Sequence, residues 1–153
     1  MSGVLYVLYG IQKRLWRLLR PHTRGVKVML FSPSGDILLI RNSYGRSDLF
    51  VFPGGGIRPF ETPEEAARRE IKEELGCTLA DLTLLSTHLT SAEGKRDTIH
   101  LFKAIILGEP CPNRREVEEA CFFRLTHLPP NLSPASRRRI EERIGARIAD
   151  GTW

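Results

Sequence analysis

The sequence predicts an α+β domain, and three observations carry that expectation. First, 153 residues with 41% hydrophobic and 27% charged side chains are enough to bury one sizeable core. Second, short apolar runs closed by glycine and proline turns are interleaved with two well-marked helix starts. Third, there is no regular alternation of strand and helix, which argues against a doubly wound parallel sheet. With 13 glycines and 10 prolines, and no internal repeat, the chain is neither low-complexity nor a solenoid.

In chain order, the apolar residues Val4, Leu8, Ile11, Leu15 and Leu18 recur at spacings of three and four, with Lys13, Arg14 and Arg17 between them and Pro21 as a stop. This pattern predicts an amphipathic helix of about four turns. It forms an extension over residues 1–22, ahead of a domain over 23–153. The run Val4 to Tyr9 is too short for a membrane span and lacks a preceding basic stretch, which also argues against a signal peptide. Val26 to Phe31 and Ile37 to Ile40 read as strands joined by the turn Ser32-Pro33-Ser34-Gly35-Asp36. Leu49 to Phe52 reads as a third strand, cut off by Pro53-Gly54-Gly55-Gly56.

The next element is the best signed. Thr62 is placed as N-cap, Pro63 at the first helical position and Glu65 three residues after the cap, a capping box. The helix should run to about Leu75 and stop on Gly76. Leu82 to Leu89, Thr98 to Leu107 and Glu119 to Arg124 read as further strands. Ser133 caps a last helix opened by Pro134, with Ile140, Ile144 and Ile148 as its apolar stripe and Arg137-Arg138-Arg139 on a solvated face.

Charge is uneven. The formal net charge is +5, yet Met1 to Gly25 holds five basic residues and no acid, and Ser133 onward holds five arginines against three acids. Basic ends suit an anionic partner: a polyphosphate, RNA or an acidic membrane surface. Three cysteines, Cys77, Cys111 and Cys121, make neither a disulfide framework nor a zinc spacing. A reducing, cytoplasmic setting is therefore expected.

The informative segment is the acidic helix. Glu70, Glu73 and Glu74 fall inside an arc of about 100°, where like charges repel by about 0.2–0.5 kcal/mol per pair. Ala67, Ile71 and Leu75 form the adjacent apolar stripe, so the acidic face borders the buried one. A divalent cation would relieve the repulsion, and oxygen-only ligands favour Mg²⁺ or Mn²⁺. Such clusters usually face solvent, but here a triple glycine precedes the helix, where backbone can approach a phosphate or a metal closely.

Gly55, five residues, Glu61, seven residues, then Arg69-Glu70-Ile71-Lys72-Glu73-Glu74-Leu75-Gly76-Cys77 resembles the Nudix box. Every polar and glycine position of that pattern is present; Cys77 stands where the family usually has a bulky aliphatic. Phe50-Val51-Phe52-Pro53-Gly54-Gly55 also resembles the strand leading into the box. The resemblance implies an αβα sandwich around a mixed sheet and Mg²⁺-dependent hydrolysis of a nucleoside diphosphate linked to another group. It further implies that Glu73 and Glu74 hold the metal and that Glu70 holds metal or positions water. The Gly54 carbonyl is then an additional ligand, and Glu61 with Arg69 braces the loop, alongside Gly55 and Gly76 as structural glycines. A downstream acid often serves as ligand or base. Glu116 is the candidate here, with Glu118 and Glu119 behind it, unless that loop is simply solvated.

The box fixes the reaction and says little about the substrate. Ser91-Ala92-Glu93-Gly94-Lys95 lacks the downstream proline or tyrosine that marks ADP-ribose or dinucleoside polyphosphate hydrolases. Arg41, Arg46 and Arg58 are candidates to clamp an anion. Tyr44, Phe50, His88 and His100 are candidates to stack on a base or touch phosphate, and each fits core or rim better. A nucleoside triphosphate or another small nucleotide is the expected substrate. An RNA 5′ end and a non-catalytic nucleotide-binding module are the alternatives. The N-terminal extension, with Tyr6, Tyr9 and Trp16 among its cations, suits peripheral membrane contact through residues 4–19, packing on the domain, or a homodimer.

Overall fold

The computed structural model describes residues 22–91 and 96–153. The predicted N-terminal helix lies outside the described residues. Strands β1 (His22–Phe31), β2 (Ile37–Asn42), β3 (Thr78–Thr90), β4 (Arg96–Leu107) and β5 (Val117–Phe123) form one sheet in the order β3-β4-β1-β2-β5. The central pair β1 and β4 is parallel, and the other pairings are antiparallel. Helix α1 (Pro63–Leu75) and helix α2 (Pro134–Arg143) cover the two faces.

Period-two alternation explains the layering. Val26, Val28 and Leu30 of β1, with Leu38 and Ile40 of β2, face Ala66, Ala67, Ile71 and Leu75 of α1. Met29, Ile37 and Leu39 point the other way, onto Phe50, Phe52, Leu132 and Ile140 of α2. The result is an αβα sandwich around a mixed sheet, the expected class.

β1 and β2 pair only at Leu30–Leu38 and Phe31–Ile37, then part. The segment predicted as a third strand fills the gap without becoming one. Val51 exchanges two hydrogen bonds with Ile40, at 2.8 and 3.0 Å, and the chain then crosses over. Val28 N–H donates to the Pro53 carbonyl and Val26 N–H to the Gly55 carbonyl, at 3.0 and 2.9 Å. Pro53 has no N–H to extend a ladder, so the segment bridges both strands and delivers the glycines to the mouth of the split.

Helix α1 has the predicted limits. Thr62 accepts from the Glu65 N–H, Glu65 closes the capping box, and Gly76 ends the helix in the left-handed region at φ 69°. Helix α2 departs from expectation. It stops at Arg143, so Ile144 is half exposed and Ile148 lies almost wholly in solvent; only Ile140 of the predicted stripe is buried. Arg139 is not on a solvated face. It is 2% exposed, paired with Glu142 at 2.7 Å and placed under the Trp153 ring. β3 begins four residues before the predicted strand and is broken by two register shifts, one between Ala80 and Thr83 across Asp81, whose φ is 52°, and one between Leu84 and Ser86. Among the described residues no helix is long and apolar enough to cross a membrane.

Candidate active site

The glycine turn is built by exclusion. At Gly54 φ is 142°, and a Cβ would lie 2.1 Å from the Val26 carbonyl oxygen, so only glycine fits. At Gly55 a Cβ would fall 2.6 Å from the Glu70 carboxyl carbon. The missing side chain is therefore the space that the Glu70 carboxylate occupies. Gly54 N–H donates to Glu74 Oε2 at 3.0 Å, which ties the turn to the end of α1.

Arg69 fastens the loop to the helix. Its Nε and Nη2 donate to the two oxygens of Glu61 at 2.6 and 2.9 Å, the fork geometry that arginine provides. Nη2 also donates to the Gly56 carbonyl, while Nη1 reaches Glu70 at 2.7 Å and Glu73 at 3.2 Å. Glu61 accepts in addition from the Arg58 N–H at 2.9 Å. The Arg69 guanidinium and that N–H together hold the Glu61 carboxyl down at about 2. Arg58 itself reaches Glu73 at 3.2 Å. One arginine thus spans the predicted supporting pair and two of the three helix carboxylates.

Burial separates those carboxylates. Glu70 and Glu74 are buried, and Glu73 is at the rim. Desolvation pushes the Glu74 carboxyl up to about 7; the nearby Lys27 ammonium and the Gly54 N–H oppose that rise, and Glu70 and Glu116 add to it. Glu116 is exposed, on the turn entering β5, and its N–H donates to the Asn113 carbonyl at 3.0 Å. That turn is docked on the helix end, since Asn113 N–H donates to the Glu74 carbonyl at 2.7 Å. The predicted downstream acid therefore lies within the field of Glu74. Tyr44 joins the same group: burial raises its phenol pKa first, and Glu74, Glu116 and Glu70 raise it further.

The predicted anion clamp divides. Only Arg58 stands at the acidic face. Arg41 points to the opposite face of β2, where it is held by Glu119 at 2.6 Å and lies over the Phe50 ring. Arg46 is exposed and paired with its neighbour Asp48. Phe50 packs edge-on against Phe123 in the core. His88 is buried beside Arg139 and Trp153, far from the acidic helix face in the fold's second layer. His100 accepts or donates to Thr87 at 3.2 Å on the β3–β4 side. Sequence reading passed over Lys27, a single cation inside the apolar run Val26 to Phe31. That interruption of an otherwise buried strand was the available signal.

The donor set suits a hard divalent cation. It is oxygen only, and two of its carboxylates are buried where a compensating positive charge lowers the cost of ionisation. The carbonyls of Pro53, Gly55 and Gly56 are all bonded. The Gly54 carbonyl has no donor among the described residues. In the present side-chain arrangement no three acidic, His or Cys side chains among the described residues converge on one point; Arg69 holds one oxygen of Glu70, and Arg69 and Arg58 hold both of Glu73.

A family model described as NUDIX domain matches residues 21–143. The solved structure of a MutT NUDIX hydrolase from Burkholderia pseudomallei is 31% identical with a TM-score of 0.69, over 78% of this chain and 96% of that one. The MutT protein from Methanosarcina mazei Go1 shares the fold at 23% identity and a TM-score of 0.67, over 83% of this chain and 95% of that one. The RNA pyrophosphohydrolases of Pseudomonas fluorescens (strain SBW25) and Pseudomonas putida (strain W619) are each 39% identical over 61 residues. That match takes in 40% of this chain and 37% of each relative, so the chain spans well under half the length of the curated relatives it matches. With a complete box, the glycine turn folded against it and a family match over most of its length, this chain belongs to the NUDIX family.

Proposed function

We propose that this protein hydrolyses a phosphoanhydride bond in a nucleoside diphosphate linked to another group, with Mg²⁺, or Mn²⁺ in its place. A nucleoside triphosphate or a similar small nucleotide is the proposed substrate. The observation that supports this most directly is the Glu70–Glu74 pair, buried against a glycine turn that has no side chain to spare. Glu70, Glu73, Glu74 and the Gly54 carbonyl would hold the cation, which neutralises phosphate oxygens and lowers the pKa of water when bound.

The chain's own residues do the rest. Arg69 and Glu61 fix the loop and present Glu70 and Glu73 at set positions. Arg58, at the rim, exchanges its pairing with Glu73 for an oxygen of the entering diphosphate. Water attacks one phosphorus, the bond to the bridging oxygen breaks, and a carboxylate takes the proton; Glu70 and Glu116 are the two candidates.

Glu74→Gln tests the site. It keeps shape and removes the charge, so turnover should fall by orders of magnitude while the circular dichroism spectrum is unchanged. Chelation with EDTA should abolish the wild-type activity reversibly. Wild-type rates in Glu74→Gln would overturn the assignment.

A second reading is removal of pyrophosphate from an RNA 5′ end. The matched curated relatives carry that name, and the basic ends of the chain favour a polyanion. A panel holding nucleoside triphosphates and a 5′-triphosphorylated RNA separates the two by which substrate is consumed.

A further inference from the structure

β1 carries one charged residue between buried neighbours. Val26 and Val28 are 1% and 0% exposed, and Lys27 between them is partly buried. An ammonium has three donors, and Lys27 Nζ uses one, to the Phe52 carbonyl at 3.2 Å. None of the ion pairs among the described residues includes it. Burial depresses its pKa, while Glu74, Glu70 and Asp97 each pull it back. Holding a partly desolvated cation without a close partner is unfavourable, and an anion bound beside it would relieve that cost.

The room for that anion is present. Lys27 lines a cavity of about 230 Å³ with Arg24, Gly55, Gly56 and Asp97, several times the ~30 Å³ share of one liquid water. Asp97 is the single acid there, and it already accepts from the Thr23 hydroxyl at 2.7 Å. Lys27 therefore shares this space with one engaged carboxylate, directly beside the glycine turn that meets Glu70 and Glu74.

We propose that Lys27 binds a phosphoryl group of the substrate in this cavity beside the glycine turn. This rests on the proposed hydrolytic reading and adds a residue to it. The competing role is an internal counter-charge for Glu74 and Glu70, with no ligand contact.

The test is calorimetric titration of the full-length wild type, Lys27→Met and Lys27→Arg with pyrophosphate, beside Mn²⁺ affinity and kcat/KM on the best nucleotide. Lys27→Met should weaken pyrophosphate at least about tenfold and lower kcat/KM about 100-fold, with Mn²⁺ affinity unchanged or tighter, and Lys27→Arg should restore most of both. In the wild type, pyrophosphate should protect Lys27 from acetylation read by mass spectrometry, which needs no variant to fold. Undiminished pyrophosphate binding and turnover in Lys27→Met, or no protection of the wild-type lysine, would overturn the proposal. If no nucleotide is cleaved and pyrophosphate still depends on Lys27, the hydrolytic reading fails and the phosphate site stands.

Discussion

Glu74 shows what a single residue gives up for its position. Its carboxyl titrates near 7 in the fold against 4.5 ordinarily. The native state therefore binds more protons than the unfolded chain between those values, and stability falls as pH rises through the window. Without metal, Glu74→Gln should be more stable than wild type at pH 8 by up to about 3 kcal/mol, and nearly equal to it at pH 4.5. Urea denaturation in EDTA at the two pH values measures this. A variant that is inactive yet more stable would mark Glu74 as a charge kept for a cation. Equal stabilities at pH 8 would show that Lys27 and the Gly54 N–H already compensate the buried charge. The carboxylates were legible because helical spacing put them on one arc, and Arg69 with the glycines because they complete the pattern that resembles the Nudix box. Lys27 was not, since a lone lysine in a strand has no spacing to read. The loss of Arg41 from the clamp was equally hidden: its direction depends on β2 alternation and its cross-strand partner Glu119.

Among elements, α1 and the turn before it behave as one unit. The limits of α1 could be read to the residue because cap, proline and terminal glycine are local signals. The preceding strand could not, because whether Leu49–Phe52 joins a ladder depends on how far β1 and β2 separate, a long-range matter. The last helix shows the same division. Its start at Ser133 is local, whereas the burial of Arg139 depends on His88 of β3 and on Trp153 at the chain's end packing against it. The coupling of turn and helix gives a prediction. In Gly55→Ala, the new methyl meets the Glu70 carboxylate, which Arg69 holds at 2.7 Å, so one of them must move. The expected cost is about 1–3 kcal/mol, with weaker Mn²⁺ affinity and lower turnover. Unchanged metal affinity would show that the Glu70 carboxylate swings aside freely.

At the scale of the whole molecule, charge and connectivity meet at the site. Of the C-terminal arginines, Arg139 and Arg147 are paired internally with Glu142 and Asp150, so that end is less basic than its composition suggests. The larger excess is N-terminal, where Lys13, Arg14, Arg17 and Arg20 have no acid among residues 1–25. This stretch enters the sheet at His22, two residues before Arg24, whose carbonyl accepts from Ile57 N–H at 2.9 Å beside the glycine turn. Covalent continuity tethers these four cations to β1, the strand that runs past the glycine turn. An RNA, unlike a free nucleotide, carries phosphates beyond the cleaved group that such cations would contact. Cleavage of 5′-triphosphorylated RNA should accordingly fall more steeply with salt than cleavage of a free nucleotide. Replacing the four cations by glutamine in the full chain should flatten the RNA slope by up to about 0.7 per lost phosphate contact and leave the nucleotide rate unchanged. Parallel slopes for both substrates, unmoved by the replacement, would confine recognition to the diphosphate and its immediate neighbours.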